Sequence, residues 1–256
     1  MIVKKRSIQL LVRLSDFDEL QNDTAMQSNL VQGVLKMFAS DENDNADLCL
    51  KMGCIQYMSN FFNDANFKVN AYQQIVPTVV DMGSKMLTKC GHNSEAVNEI
   101  LELYRFIVDK YAGMVIPMDQ TTGQTVIDFL VSMLMLHWNH FLGVVTHNSV
   151  TQDQLQQIDF EELYGEESIV LQSIVRIMNH IVTQVKIPDL NEQASTTIFN
   201  SAMTISTQAL LMSAKNIMLC DSAMALYLSI LRVLGNAYYS DPKSRGLGEA
   251  LLGQFE

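Results

Sequence analysis

The sequence predicts an all-α protein built from long helices stacked as antiparallel pairs. Three observations lead there. Only four prolines and twelve glycines interrupt 256 residues, so helices can run long. Apolar residues recur at i, i+3, i+4 and i+7 in one segment after another, and no segment alternates apolar and polar residues between turn signals. Sixteen methionines sit in a chain that is 48% hydrophobic; unbranched Met fills the irregular gaps between helices.

Eight main helices are expected. The first starts near Asp23 or Thr24 and runs through "MQSNLVQGVLKMF". The second follows "DENDNAD", with Asp44 or Asn45 as its cap, and carries Leu48, Ile55, Met58 and Phe62. The third starts near Asn66; Pro77 either kinks it or opens a new helix at position N1, where its missing N–H costs nothing. The fourth, "EAVNEILELYRFIVDKY", is capped by Asn93 or Ser94. Short polar side chains are preferred there because they accept the helix's unpaired N–H groups. The fifth runs from about Thr122 to Phe141, and the sixth from Glu167 to Lys186, where "IPD" stops it. The seventh starts near Leu190 and extends as far as Met218. The eighth starts at an Asp221–Ser222 cap and ends at Tyr239 before "SDP".

Two helices carry more apolar surface than a one-sided packing needs. In Glu95–Tyr111 the stripe Val97, Ile100, Leu101, Tyr104, Ile107, Val108 and Tyr111 is widened by Ala96 and Leu103 to roughly 160°, beyond the ~100° minimum. Phe106 stands alone among Glu99, Glu102, Arg105 and Asp109 on the polar arc. Val126–Leu142 leaves so little polar surface that near-complete engulfment is expected. Helix pairs recur every ~40–70 residues, the lower end matching the ~40–47-residue HEAT and armadillo spacing. The whole of 1–256 is therefore expected to be a single HEAT-like array, with an acidic insertion at 147–168.

Composition excludes some classes. A net charge of −11 opposes nucleic-acid binding, which needs a basic footprint. Cys49, Cys54, Cys90 and Cys220 form no CxxC or disulfide framework and are read as buried thiols of a reduced compartment. No signal peptide is evident, and Val126–Trp138 is too short for a membrane span and carries Asp128. P-loop, dinucleotide and HExxH motifs are absent. His137, His140 and His147 fall short of a zinc ligand set, so a core or interface role explains them better. Asp41–Met52 begins like a calcium loop, but has Ala46 where glycine is needed and Met52 where glutamate is needed. No cofactor and no metal are expected. Lys4–Ser7 reads as a solvated helix start. The acidic cluster Asp159, Glu161, Glu162, Glu166 and Glu167 suits a helix N-terminus. It also offers, with Phe106, a contact surface for a partner protein, the acids facing a basic one.

"VNEILELYRFIVDKYAGMV" and "GQTVIDFLVSMLML" resemble consecutive repeat helices of the karyopherin-β nuclear transport receptors, in the exportin-4 and exportin-7 branch. "EELYGEESIVLQSIVRIMNHIVTQ" and "FNSAMTISTQALLMSAKNIMLCDSAMALYLSILRVLGNAY" are similar to the pairs that follow. The resemblance covers most of 70–240. It implies a segment of a longer receptor that binds protein cargo, Ran-GTP and nucleoporins without bond-making chemistry, shuttling between nucleus and cytoplasm. A HEAT or armadillo scaffold outside transport is the second expectation. An all-α lipid or terpenoid enzyme is the third, and it lacks spaced acidic motifs.

Overall fold

The computed structural model describes residues 24–39, 45–64, 68–119, 123–146, 159, 162, 164–184, 192–212 and 215–240. Among them the chain is helical and carries no strand, only an isolated bridge between Pro117 and Thr125. It falls into two compact units, Met1–Lys110 and Tyr111–Glu256.

The first unit holds α1 (Thr24–Ala39), α2 (Asn45–Asn63), the single turn α3 (Val69–Tyr72), a 3₁₀ turn (Gln73–Ile75), α4 (Val76–Cys90) and all but the last residue of α5 (Ser94–Tyr111). α2 packs on both α1 and α4. Pro77 starts a helix and does not kink one: it occupies the first turn of α4, and the chain before it tightens into a 3₁₀ turn. The α2 end is an aromatic cluster. Phe61 meets Tyr72 edge-on at 4.9 Å and Phe62 at 5.6 Å. Tyr72 then donates its hydroxyl to Gln27 Oε1 of α1 at 3.0 Å, giving a buried ring a polar outlet.

α5 meets α4 at a close contact. Tyr104, fully buried, lays its ring on Gly83 and donates its hydroxyl to the Val80 carbonyl at 3.2 Å. A Cβ on Gly83 would lie 2.7 Å from the Tyr104 ring. Glycine is therefore present in mid-helix because the ring fills the space, which offsets its poor helix propensity. Asn93 caps α5: its Oδ1 accepts from Ala96 N at 2.9 Å, and its carbonyl accepts from Val97 N. All seven stripe residues of α5 and Leu103 are buried, whereas Ala96 is only half-buried.

The second unit holds α6 (Val126–Thr146), α7 (Gly165–Gln184), α8 (Glu192–Met212) and α9 (Ile217–Ser240). α6 packs on α7 and α8, α9 packs on the same two, and α7 touches α8. Trp138 of α6 is fully buried and donates its indole N–H to Gln208 of α8 at 2.6 Å.

Three expectations need correction here. α6 begins four residues later than expected and runs on to Thr146. Its start is a reciprocal cap: Thr125 Oγ1 accepts from Asp128 N at 3.2 Å, while Asp128 Oδ2 accepts from Thr125 N at 3.1 Å. α6 is not engulfed, because Leu136 is 60% exposed. The break between the last two helices falls before Asn216, not at Asp221–Ser222. Asn216, wholly buried, donates Nδ2 to the Met212 carbonyl at the end of α8 and accepts from Cys220 N at the start of α9. Ser222 lies inside α9 and donates to the Met218 carbonyl one turn back.

Candidate recognition surfaces

The surface residues predicted from sequence lie in different units. In the first, the polar arc of α5 is organised by Arg105. Its guanidinium donates to Glu102 Oε2 at 2.8 Å and to Asp109 Oδ2 at 3.5 Å, and lies 4.2 Å from the centre of the Phe106 ring. Phe106 is therefore half-buried beneath its neighbour, and a partner would have to displace or share that cation. The ion pairs themselves contribute little at this exposure.

In the second unit, Asp159 turns its Oδ1 to the Glu162 backbone N–H at 3.0 Å, so its carboxylate already has a local structural role. Glu166 and Glu167 stand in the first turn of α7, where the helix dipole favours them. Glu162 and Glu166 are exposed and Glu167 is half-buried. Glu161 lies outside the described residues, as do most of 147–168, His147, Lys4–Ser7 and Asp41–Asp44. A surface of acids remains at Glu162, Glu166 and Glu167, built as a helix start.

An exposed apolar surface on α9 lies outside the sequence expectations. α9 carries two apolar stripes on opposite sides. Leu219, Ala223, Leu226, Ile230 and Leu234 are buried against α7 and α8. Ile217, Met224, Leu228 and Leu231, with Met218 beside them, are 38–73% exposed. These apolar side chains share one exposed side of α9, with Asp221 between Ile217 and Met224; grouped exposed apolar residues mark a contact surface more often than scattered ones do. Its sequence is apolar on two sides, broken only by Asp221, Arg232 and a few small polar residues, and such a pattern reads as burial on both.

The histidines separate. His137 is buried, and its Nδ1 makes no hydrogen bond; burial, then the neighbouring His140, hold its pKa below the ordinary value. His140 is exposed, with its ring edge-on to Phe141 at 5.1 Å. Among the described residues no group of three His, Cys, Asp or Glu side chains is placed to hold a metal ion. Cys54 and Cys90 are buried, Cys220 is half-buried, and Cys49 is exposed, contrary to its expected burial. At full length, α6 (Val126–Thr146) and the Ile217–Asn236 part of α9 are long and apolar enough to cross a membrane by length and composition. At 21 residues α6 is therefore not too short to span a membrane, contrary to the expectation for Val126–Trp138. Yet α6 makes its contacts as a packed helix, burying Leu130, Leu134, Trp138 and Phe141.

Comparison with protein-family models, with curated proteins and with solved structures finds no match.

Proposed function

We propose that the chain acts by protein recognition through stacked helices, as a segment of an exportin-like nuclear transport receptor. The packing scheme of the second unit supports the stacked reading. α6 meets α7, α8 meets α9, and the two pairs meet as α6 on α8 and α7 on α9. These are the neighbour relations of two repeats in a solenoid. A closed four-helix bundle has the same neighbours, but it turns polar faces outward. The exposed apolar row of α9 favours the stacked reading and is the observation that carries the proposal. An array presents such a face wherever a further layer stacks.

Transport, as against scaffolding in general, is carried by the resemblance of the segments between 70 and 240. In this reading the chain works with protein cargo, Ran-GTP and nucleoporins, in nucleus and cytoplasm. It uses no cofactor, binds no nucleic acid and does no bond-making chemistry. The test is retention of Ran on the immobilised full chain. Preference for Ran loaded with a GTP analogue over Ran-GDP is the expected result. Equal retention, or none, would remove Ran binding from this chain and leave the scaffold reading, with a HEAT or armadillo role outside transport.

A further inference from the structure

A groove of about 430 Å³ opens in the first unit between α1, α2 and α4. Its volume lies in the range of ~300–1,000 Å³ typical of ligand sites. Its floor is apolar: Phe38, Met82 and Met86 line it and are all buried. Among the described residues its charged lining is Lys51, Lys85, Lys89 and Asp81, three cations and one anion in a chain whose net charge is −11. Lys51 is itself buried, at 8% exposure, with its ammonium 5.5 Å from the centre of the Phe38 ring. Lys85 pairs with Asp81 at 2.7 Å, both of them in solvent, and Lys89 forms no salt bridge among the described residues.

We propose that this groove binds an acidic peptide segment of a partner protein, which inserts one bulky apolar side chain between α1 and α4. Two features favour a peptide over a small molecule. The rim is open, with Lys85, Thr88 and Lys89 exposed along it, so a bound chain can run past the opening. Lys85 and Lys89 are one helical turn apart, about 6 Å along the axis. Carboxylates two residues apart on an extended chain are spaced by about 6.6 Å and share one face, as does a residue two positions further on, so an acid–x–acid–x–apolar stretch can meet both ammonium groups while its apolar residue enters the groove. Charge complementarity supplies the orientation, and the Phe38–Met82–Met86 floor supplies the apolar contact. This inference does not depend on the transport reading.

The experiment is a fluorescence anisotropy titration of the full chain with a labelled peptide of Glu residues flanking one Phe. Saturable binding is expected. It should weaken about tenfold in the exposed double variant Lys85→Glu/Lys89→Glu, given the small worth of each surface pair, and should fall as ionic strength rises. Lys51→Met keeps the buried stem, removes the charge, and should weaken binding several-fold. Lys36→Glu on α1 alters net charge outside the groove and should bind as the native chain does; circular dichroism shows each variant folded. The proposal is overturned if the double variant binds like Lys36→Glu, or if a peptide with Ala in place of Phe binds equally well. It is also overturned if dodecanoate binds more tightly and displaces the peptide, which would assign the groove to small amphipathic anions.

Discussion

The two units solve the same packing problem in opposite ways. The first buries aromatic rings and leaves little apolar surface outside. Phe38, Tyr57, Phe61, Phe62, Tyr72 and Tyr104 are all buried, and among its described residues Met26 is the one large hydrophobic side chain that is strongly exposed. The second is mainly aliphatic inside, and it exposes Val115, Leu136, Val144, Ile169 and the α9 row. Tyrosine rings close the first unit because each can bury its body and still hand its hydroxyl to a polar atom, as Tyr72 and Tyr104 do. Among the described residues of the second unit, no tyrosine covers the outer side of α9 in this way. The difference places a charged groove in the first unit and an apolar face in the second, two surfaces suited to chemically different partners.

Substitutions can break this contrast, beginning with the strongest. Trp138→Ala should empty the centre of the second unit and orphan Gln208, costing about 3–5 kcal/mol, with loss of the second-unit transition in urea unfolding. Gly83→Ala should destabilise the first unit although it improves helix propensity. The Cβ would sit 2.7 Å from a buried, hydrogen-bonded ring; overpacking costs about 1–3 kcal/mol against a gain of about 1 kcal/mol in propensity. Thermal melts read the sign directly, and a raised Tm would mean that the ring yields. Thr125→Ala removes one half of the reciprocal cap of α6 and should cost about 1 kcal/mol, measured by the same melts.

The units should also differ in pH response. Burial, with a smaller contribution from Tyr72, pushes Tyr57 up to about 12, and burial raises Tyr72 and Tyr104 as well. A folded value above the unfolded one of 10.0 gives stability that is intact below pH 10 and lost as pH rises through the folded value. The first unit should therefore weaken above pH 10. His137 shifts the other way, below 6.5, so its contribution is present above pH 6.5 and lost as pH falls through the folded value. The second unit should weaken on the acid side, and His137→Gln should flatten that limb in pH-dependent unfolding followed by Trp138 fluorescence.

How much of this was legible in the sequence follows from the kind of signal each feature gives. α5 was readable almost residue by residue. Its apolar stripe has the helical period, its opposite arc is charged, and Asn93 sits at the cap. Pro77 was readable as a boundary because it lacks an N–H. α6 and α9 are not readable in the same way, since apolar residues on more than one side of a helix state an appetite for neighbours without saying whether they are present. Leu136 and Leu228 look like Leu134 and Leu226 in sequence, and only packing distinguishes them. The start of α9 was missed because Asp221–Ser222 has cap chemistry, while Asn216, buried and holding the end of α8, takes that position instead. The groove was invisible to spacing: Lys51 comes from α2, Lys85 and Lys89 from α4, and the fold alone brings them together. Phe106 stands out in sequence as the one aromatic on a polar arc, but the guanidinium covering it follows from rotamers and not from pattern.

The most direct test of the contrast uses the chain's own methionines. Met218 and Met224 lie on the open face of α9, whereas Met58 and Met86 are fully buried in the first unit and Met178 in the second. Sulfoxide formation follows access of the oxidant to the thioether. Mild peroxide treatment of the full chain, read by peptide mass spectrometry, should oxidise Met218 and Met224 well before Met58, Met86 and Met178. Protection of Met218 and Met224 to the level of Met86 would contradict the account, because the face on which the recognition reading rests would already be covered.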